Sequence, residues 1–217
     1  MKNLFLFIIF TSSSHAFSQV KEGYFQYSIE VQTTDTSLAQ RQEADMLVGA
    51  KMELYFANNL SRIDYQMGSM YNMSVRVDRN LQRVISLSTS NAGKFGAVLP
   101  MYAFNANTPK FDSSAILEQF NEEKIILGFN CKKYVLTLSG EVTTYWCTDE
   151  IDIAAQDFPI LSPNVPGFPL EFSSKQDGML RSFKASNYKF SLEDKKAIFS
   201  TVIPEEYELT PMNPNAQ

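Results

Sequence analysis

Residues Ile126–Ile151, ILGFNCKKYVLTLSGEVTTYWCTDEI, and the motif Pro166–Phe172, PGFPLEF, that follows after a loop decide the fold. Two runs rich in β-branched and aromatic residues, Cys131–Leu138 and Val142–Thr148, flank Ser139-Gly140-Glu141. That is the pattern of a β-hairpin with glycine at its turn. The stretch holds both cysteines and the only tryptophan of the chain.

The hairpin register decides how the cysteines relate. Side chains opposite or diagonal across a hairpin share a face. A three-residue loop over Leu138–Gly140 sets Cys131 opposite Cys147, and a loop over Ser139–Glu141 makes them diagonal on one face. A two-residue loop puts them on opposite faces. An even count and an export signal favour a Cys131–Cys147 disulfide over two buried thiols. Closing a loop of this size would stabilise the chain by about 3 kcal/mol. The pair is not a C-x-x-C, so a redox role is disfavoured.

Three aromatic residues are candidate ligand contacts. Trp146 neighbours Cys147 and faces the other side of its strand, either as packing or as the wall of an apolar cleft. Phe168 is presented by the rigid turn between Pro166 and Pro169, where it plugs the core or flanks a binding mouth. Phe172 closes the motif, where Leu170 leads into Glu171-Phe172. The acidic residues Asp149, Glu150, Asp152 and Asp157 lack the spacing and glycine turn of a calcium loop, so they read as a solvated strand end and no metal is expected.

Outward from the hairpin, the chain begins with a leader pattern. Lys2 precedes the apolar run Leu4–Phe10, and Ala16-Phe17-Ser18 resembles a small-x-small cleavage site. The run is far shorter than the roughly 20 residues that span a bilayer. No cysteine follows it to carry a lipid. The expected organisation is a signal peptide over 1–19, one β-rich domain over 20–210 and a flexible tail over 211–217, in a periplasmic or extracellular protein. Without the leader the chain keeps 18 basic and 24 acidic residues, with no basic stripe. That excludes nucleic acid as a natural partner, because phosphate neutralisation dominates such binding. The single histidine, His15, lies inside the leader. The mature chain therefore lacks Ser-His-Asp and Cys-His machinery and histidine metal ligands.

Alternation predicts strands over Glu22–Thr33, Lys51–Ala57, Ser61–Met67, the stretch of Met73, Val75 and Val77, and Leu81–Ser88. Ser37 followed by Gln40 marks a helix start, with Leu38–Ala50 free of breakers before Gly49. Ser90–Pro109 reads as one strand or a loop. Capping residues Asp112 and Ser113 predict a short helix over Phe111–Phe120. Asp157–Pro169 is a long proline-rich loop, and strands follow over Met179–Phe190 and Ala197–Ile203. Short strands at this spacing predict an antiparallel meander: a mainly β protein with one or two short helices.

The runs Leu127–Val135, Thr144–Ile151 and Pro166–Glu171, with the ending Ile203-Pro204-Glu205-Glu206-Tyr207, resemble the GLPGLI-type and related secreted families of Bacteroidetes envelopes. Cys147 departs from that pattern, which has an apolar residue there. The resemblance implies a fold distantly similar to the periplasmic lipoprotein carriers: a strongly curved antiparallel sheet, an incomplete barrel, over an apolar concavity. It implies a non-enzymatic envelope protein with no cofactor, binding a lipid or acyl ligand in that concavity. The competing readings are an interaction module of an envelope assembly and, with no motif behind it, a carboxylate-based hydrolase.

Overall fold

The computed structural model describes residues 20–33, 37–68, 70–106, 108–151, 153, 158, 161–176 and 178–210. In chain order the elements are β1 (Glu22–Thr33), α1 (Leu38–Met46), β2 (Lys51–Ala57), β3 (Leu60–Met67), β4 (Tyr71–Asp78), β5 (Arg83–Ser90), β6 (Gly93–Pro100) and α2 (Met101–Ala106). They continue with β7 (Ile116–Ile126), β8 (Phe129–Leu138), β9 (Glu141–Thr148), β10 (Phe168–Gln176), β11 (Met179–Lys189), α3 (Lys195–Ile198) and β12 (Glu208–Leu209). All twelve strands form one sheet, ordered β12-β6-β5-β4-β3-β2-β1-β11-β10-β9-β8-β7. Neighbours are antiparallel except β12, which runs parallel to β6. Among the described residues no helix is long and apolar enough to cross a membrane.

The sheet joins two meanders through β1. The hairpins β2 to β6 lie on one side of it and β7 to β11 on the other, so β1 pairs with both β2 and β11. Its alternation works as the sequence predicts: Phe25, Tyr27 and Ile29 are buried on one face while Gln26, Ser28 and Glu30 lie on the other. The same face continues through Met52, Leu54 and Phe56 of β2 and Phe172 of β10.

The sheet is open and strongly curled. Phe129 of β8 lies three strand positions from β11, which on a flat sheet is about 14 Å. Its ring centroid is instead 5.2 Å from Tyr188 and 5.9 Å from Phe190, at the end of β11. The curl thus brings side chains of distant strands together over a common inner face. Bulges help to bend it, with register shifts at Gln26/Tyr27 in the β1–β11 pair and at Pro169/Glu171 in the β9–β10 pair. The fully buried Tyr27 hydroxyl donates to the Pro169 carbonyl at 2.7 Å, tying β1 to β10 across β11.

Part of the inner face is filled by the chain itself. Ile151, Phe158, Leu161 and Val165, from the connection between β9 and β10, join the main core. Met101 of α2 packs on Val77 and Val84 as a smaller cluster.

Several sequence expectations need correction. Phe111–Phe120 is not a helix: Asp112 caps only a turn, its Oδ1 accepting the Ser114 N–H at 2.8 Å, and the chain then extends into β7. Ala197–Ile203 is not a strand, because Lys195–Ile198 forms one helical turn capped by the Asp194 carboxylate. The β8–β9 hairpin has a two-residue loop, with Leu138 opposite Glu141 and positive φ at both Ser139 (52°) and Gly140 (84°). That is the twisted turn that suits hairpins best. It places Lys132, not Cys131, opposite Cys147, yet both cysteines are buried in the same core cluster. The expected leader over 1–19 and the expected tail over 211–217 lie outside the described residues.

Gly167 is the tightest backbone approach. Its φ is +78°, and a Cβ there would sit 2.6 Å from the Thr148 carbonyl oxygen. Gly167→Ala should therefore lower stability by about 3 kcal/mol, read as a fall in the urea midpoint with an unchanged slope.

Candidate functional site

Two clefts lie on opposite faces of the same strands. On the outer face, Glu53, Arg62, Asp64, Arg76, Thr89 and Tyr207 line a polar cleft of about 260 Å³. Its groups are engaged with each other and with residues Ile198, Ser200 and Tyr207. Glu53 accepts from the hydroxyls of Tyr24 at 3.0 Å and Tyr55 at 2.9 Å. Burial and that shared carboxylate push both tyrosines well above their ordinary pKa. Arg62 grips Asp64 through Nε and Nη2 at 2.6–2.9 Å and donates to the Ile198 carbonyl at 3.1 Å. Burial works against the Arg62 charge, but Asp64 outweighs it and holds the guanidinium above its ordinary value. Arg76 donates to the Ser200 carbonyl at 2.9 Å, and burial, with Arg62 close by, lowers its pKa. This cleft is a clamp that fastens the segment after α3 to the sheet.

The inner face carries the other cleft. Ile29 and Val31 of β1, Tyr65 and Met67 of β3, and Phe183 of β11 form a floor of about 330 Å³ in volume. Met46, Leu47, Met70 and Tyr71 close its sides from the end of α1 and the β3–β4 turn, and Arg181 is the one charged residue among those described as lining it. Alternation produces this floor directly. Ile29 pairs with Phe183 and Val31 with Arg181 across β1–β11, and Tyr65 faces Met73 across β3–β4. The inner face here is apolar to the strand ends, and among the described residues none of the β9–β10 connection or α2 lines it. Burial raises the Tyr65 hydroxyl to about 12, so it stays neutral at any physiological pH. Such an apolar, concave, partly open space with few polar groups has the form of a small-molecule site. Met46, Met67 and Met70 give it adaptable walls.

The residues singled out from sequence lie elsewhere. Phe168 is buried and packs on Phe25, with centroids 4.9 Å apart, so it plugs the core. Phe172 stands beside the cleft on the next strand, stacked on Phe183 at 4.4 Å with planes 9° apart. Trp146 is out of the cleft altogether. Its strand position faces Lys133, and the Lys124 ammonium lies 4.1 Å from its ring centroid while also pairing with Glu171 at 2.7 Å. Asp149 meets Lys132 at 3.5 Å, and Glu150 accepts the Asn130 N–H at 3.1 Å. Asp152 and Asp157 lie outside the described residues. Among the described residues no group of three His, Cys, Asp or Glu side chains is placed to hold a metal ion. The lining residues sequence reading missed had a signal. The alternation through Ile29, Val31, Tyr65 and Met67 runs on past the part of each strand that a helix or loop could cover.

No family model matches the chain, and neither does the sequence of any curated protein. The GLPGLI-type resemblance is thus without a family match. Among solved structures the chain is similar to PNGF-II at 12% identity and a TM-score of 0.46, over 88% of this chain and 31% of that one. The chain therefore spans under a third of PNGF-II. It is also similar to the lipoprotein LppX of Mycobacterium tuberculosis, at 9% identity and a TM-score of 0.40 over 78% of this chain and 88% of that one. A LolA superfamily protein of Nitrosomonas europaea aligns at 8% identity and a TM-score of 0.22, over 82% and 90% of the two chains. These likenesses assign no function to this chain.

The cysteines expected to bridge are both free and buried. Burial pushes the Cys131 thiol up to about 11 and holds Cys147 higher still. Thiolate, the reactive form, is therefore scarce at neutral pH. Folded protein at pH 8 should leave a thiol reagent unreacted, and denatured, unreduced protein should show two thiols; a denatured count of zero would mean that the bridge forms despite the register.

Proposed function

We propose that this chain is an exported, non-enzymatic envelope protein that holds a lipid or another apolar molecule in the inner-face cleft. The observation that carries the reading is the uncovered apolar floor formed by Ile29, Val31, Tyr65, Met67 and Phe183. An apolar face left open to water costs about 25 cal/mol per Å², and a bound apolar molecule would recover that cost. Elsewhere on the inner face, Ile151, Phe158, Leu161 and Val165 of the β9–β10 connection and Met101 of α2 pack against the sheet. The floor is braced from the side, because Phe172 stacks on Phe183 and Tyr145 on Phe172 across neighbouring strands. In this reading Phe172 positions the floor and does not itself touch the ligand. The leader pattern of residues 1–19 supports export to the periplasm or beyond. The GLPGLI-type resemblance of Leu127–Glu171 agrees with an envelope location. The absence of histidine from the chain after residue 15 supports a binding role over acid–base catalysis.

The uncharged probe N-phenyl-1-naphthylamine tests the site. Its fluorescence should rise on titration into the protein. Met67→Asp, on the cleft wall, should weaken binding by about tenfold or more, because an ionised carboxylate would have to be desolvated against the probe. Met52→Leu, a volume-conserving change in the core, should leave binding unaltered. No probe binding by the folded wild type, together with no apolar molecule retained in native mass spectra of protein purified from its own envelope, would sink the proposal.

A further inference from the structure

The sheet ends on β7, whose one strand neighbour is β8. This edge is long, and every residue from Ile116 to Glu123 is exposed. It is also unusually apolar for an open edge: Ile116 is 61% exposed and Ile125 73% exposed, with Leu117 and Phe120 each at 38%. A strand edge presents unpaired backbone N–H and C=O groups and is a template for another strand unless it is covered. The opposite end of the sheet is treated differently, since β12 lies along part of β6 there.

The sequence of β7, ILEQFNEEKII, is self-complementary when two copies run antiparallel about Asn121. In that register Ile116 faces Ile126, Leu117 faces Ile125 and Glu118 faces Lys124, each pair occurring twice by symmetry. Slipping the register toward the start of the strand by one or two positions would set Glu118 against Glu123 or Glu122. Like charges directly opposite are destabilising. The register about Asn121 is therefore selected by charge as well as by apolar matching.

The local structure prepares the same pairing. Relative to β8, the strand carries an irregularity between Phe120 and Glu123, beside the symmetry axis. An edge bulge usually blunts pairing by twisting a strand away. Here it leaves two arms, Ile116–Phe120 and Glu123–Ile126, and each would pair with the other arm of the second copy. Lys124 is held in place by Glu171 and by the Trp146 ring, with about a third of its side chain still accessible. A Glu118 carboxylate from a second copy would approach a cation that is already oriented.

We propose that β7 is a homodimer interface, in which two copies of this chain pair antiparallel through β7 about Asn121 and merge their sheets. The proposal is independent of the ligand cleft, which lies on the inner face at β1, β3 and β11.

Sedimentation velocity of protein produced from the whole chain tests it, at concentrations up to about 100 µM. The wild type should sediment as a dimer. Glu118→Lys alone and Lys124→Glu alone should each weaken dimerisation by about tenfold or more, since each sets like charges opposite. An equimolar mixture of the two variants should recover a heterodimer, because both 118–124 pairs across the axis are then of opposite charge. Glu118 is exposed and makes no core contact, so that variant should keep the wild-type near-ultraviolet circular dichroism. A monomeric wild type at the highest concentration would overturn the proposal. So would a dimer that Glu118→Lys leaves intact, or variants that fail to associate when mixed.

Discussion

The contact between β1 and the strands of the second meander holds the molecule together. Phe25 and Tyr27, both without solvent exposure, sit where the two meanders meet. Phe25 packs on Phe56 in the first meander and on Phe168 and Tyr188 in the second. Tyr27 adds the bond to Pro169 and an aromatic contact with Phe172 at 6.2 Å. Each aromatic pair contributes about 1 kcal/mol beyond its buried area. Without this junction the sheet would be two open meanders, each with an apolar face and no partner. The curl, the closed core and the cleft floor all follow from it.

The cleft exists because the inner face is longer than the pieces that cover it. Ile151, Phe158, Leu161 and Val165 of the β9–β10 connection pack into the main core, and Met101 of α2 packs on Val77 of β4 and Val84 of β5. Between them, among the described residues, the end of β1 and the facing parts of β3 and β11 remain open, with the end of α1 and the β3–β4 turn at the sides. The outer face shows the contrasting solution. There the strands present Glu53, Arg62, Asp64 and Arg76, and the segment of Ile198 and Ser200 is fastened onto the two arginines through its backbone carbonyls. One face of the same strands thus binds the protein to itself, and the other leaves apolar surface for something else.

Much of this was legible in sequence where period-2 alternation was strong. β1, β2 and β3 match their expected ranges almost residue for residue, and α1 starts where its capping pattern begins. Misreadings fell where local chemistry mimicked another element. Asp112 followed by Ile116, Leu117 and Phe120 has a helix start and helix-like spacing, yet edge pairing with β8 makes it a strand. β10 was hidden because Pro169 interrupts its run, and the bulge beside that proline is what lets the strand continue. The hairpin register turned on one residue of loop length, which sequence could not choose between. The ligand contacts were sought among the conspicuous residues Trp146, Phe168 and Phe172. Conspicuous aromatics are the ones a core uses, so they proved to be packing, while the open floor is made of ordinary strand residues at the ends of their alternation.

The position of β1 also dictates an order of events. It is the earliest strand of the sheet in the chain, yet it lies in the middle, and its pairing with β11 joins residues such as Tyr24 and Lys189. Until β11 has been synthesised, β1 has one free edge and the apolar residues around Phe25 have no second wall. Closing so long a loop carries an entropic cost that must be met before the contacts it permits can form. The first meander can assemble by local hairpins, but the core cannot be completed until nearly the whole chain is present. A chain built this way gains by remaining unfolded through synthesis and closing in a single late step, which is also the condition under which a polypeptide can be threaded across a membrane before it folds.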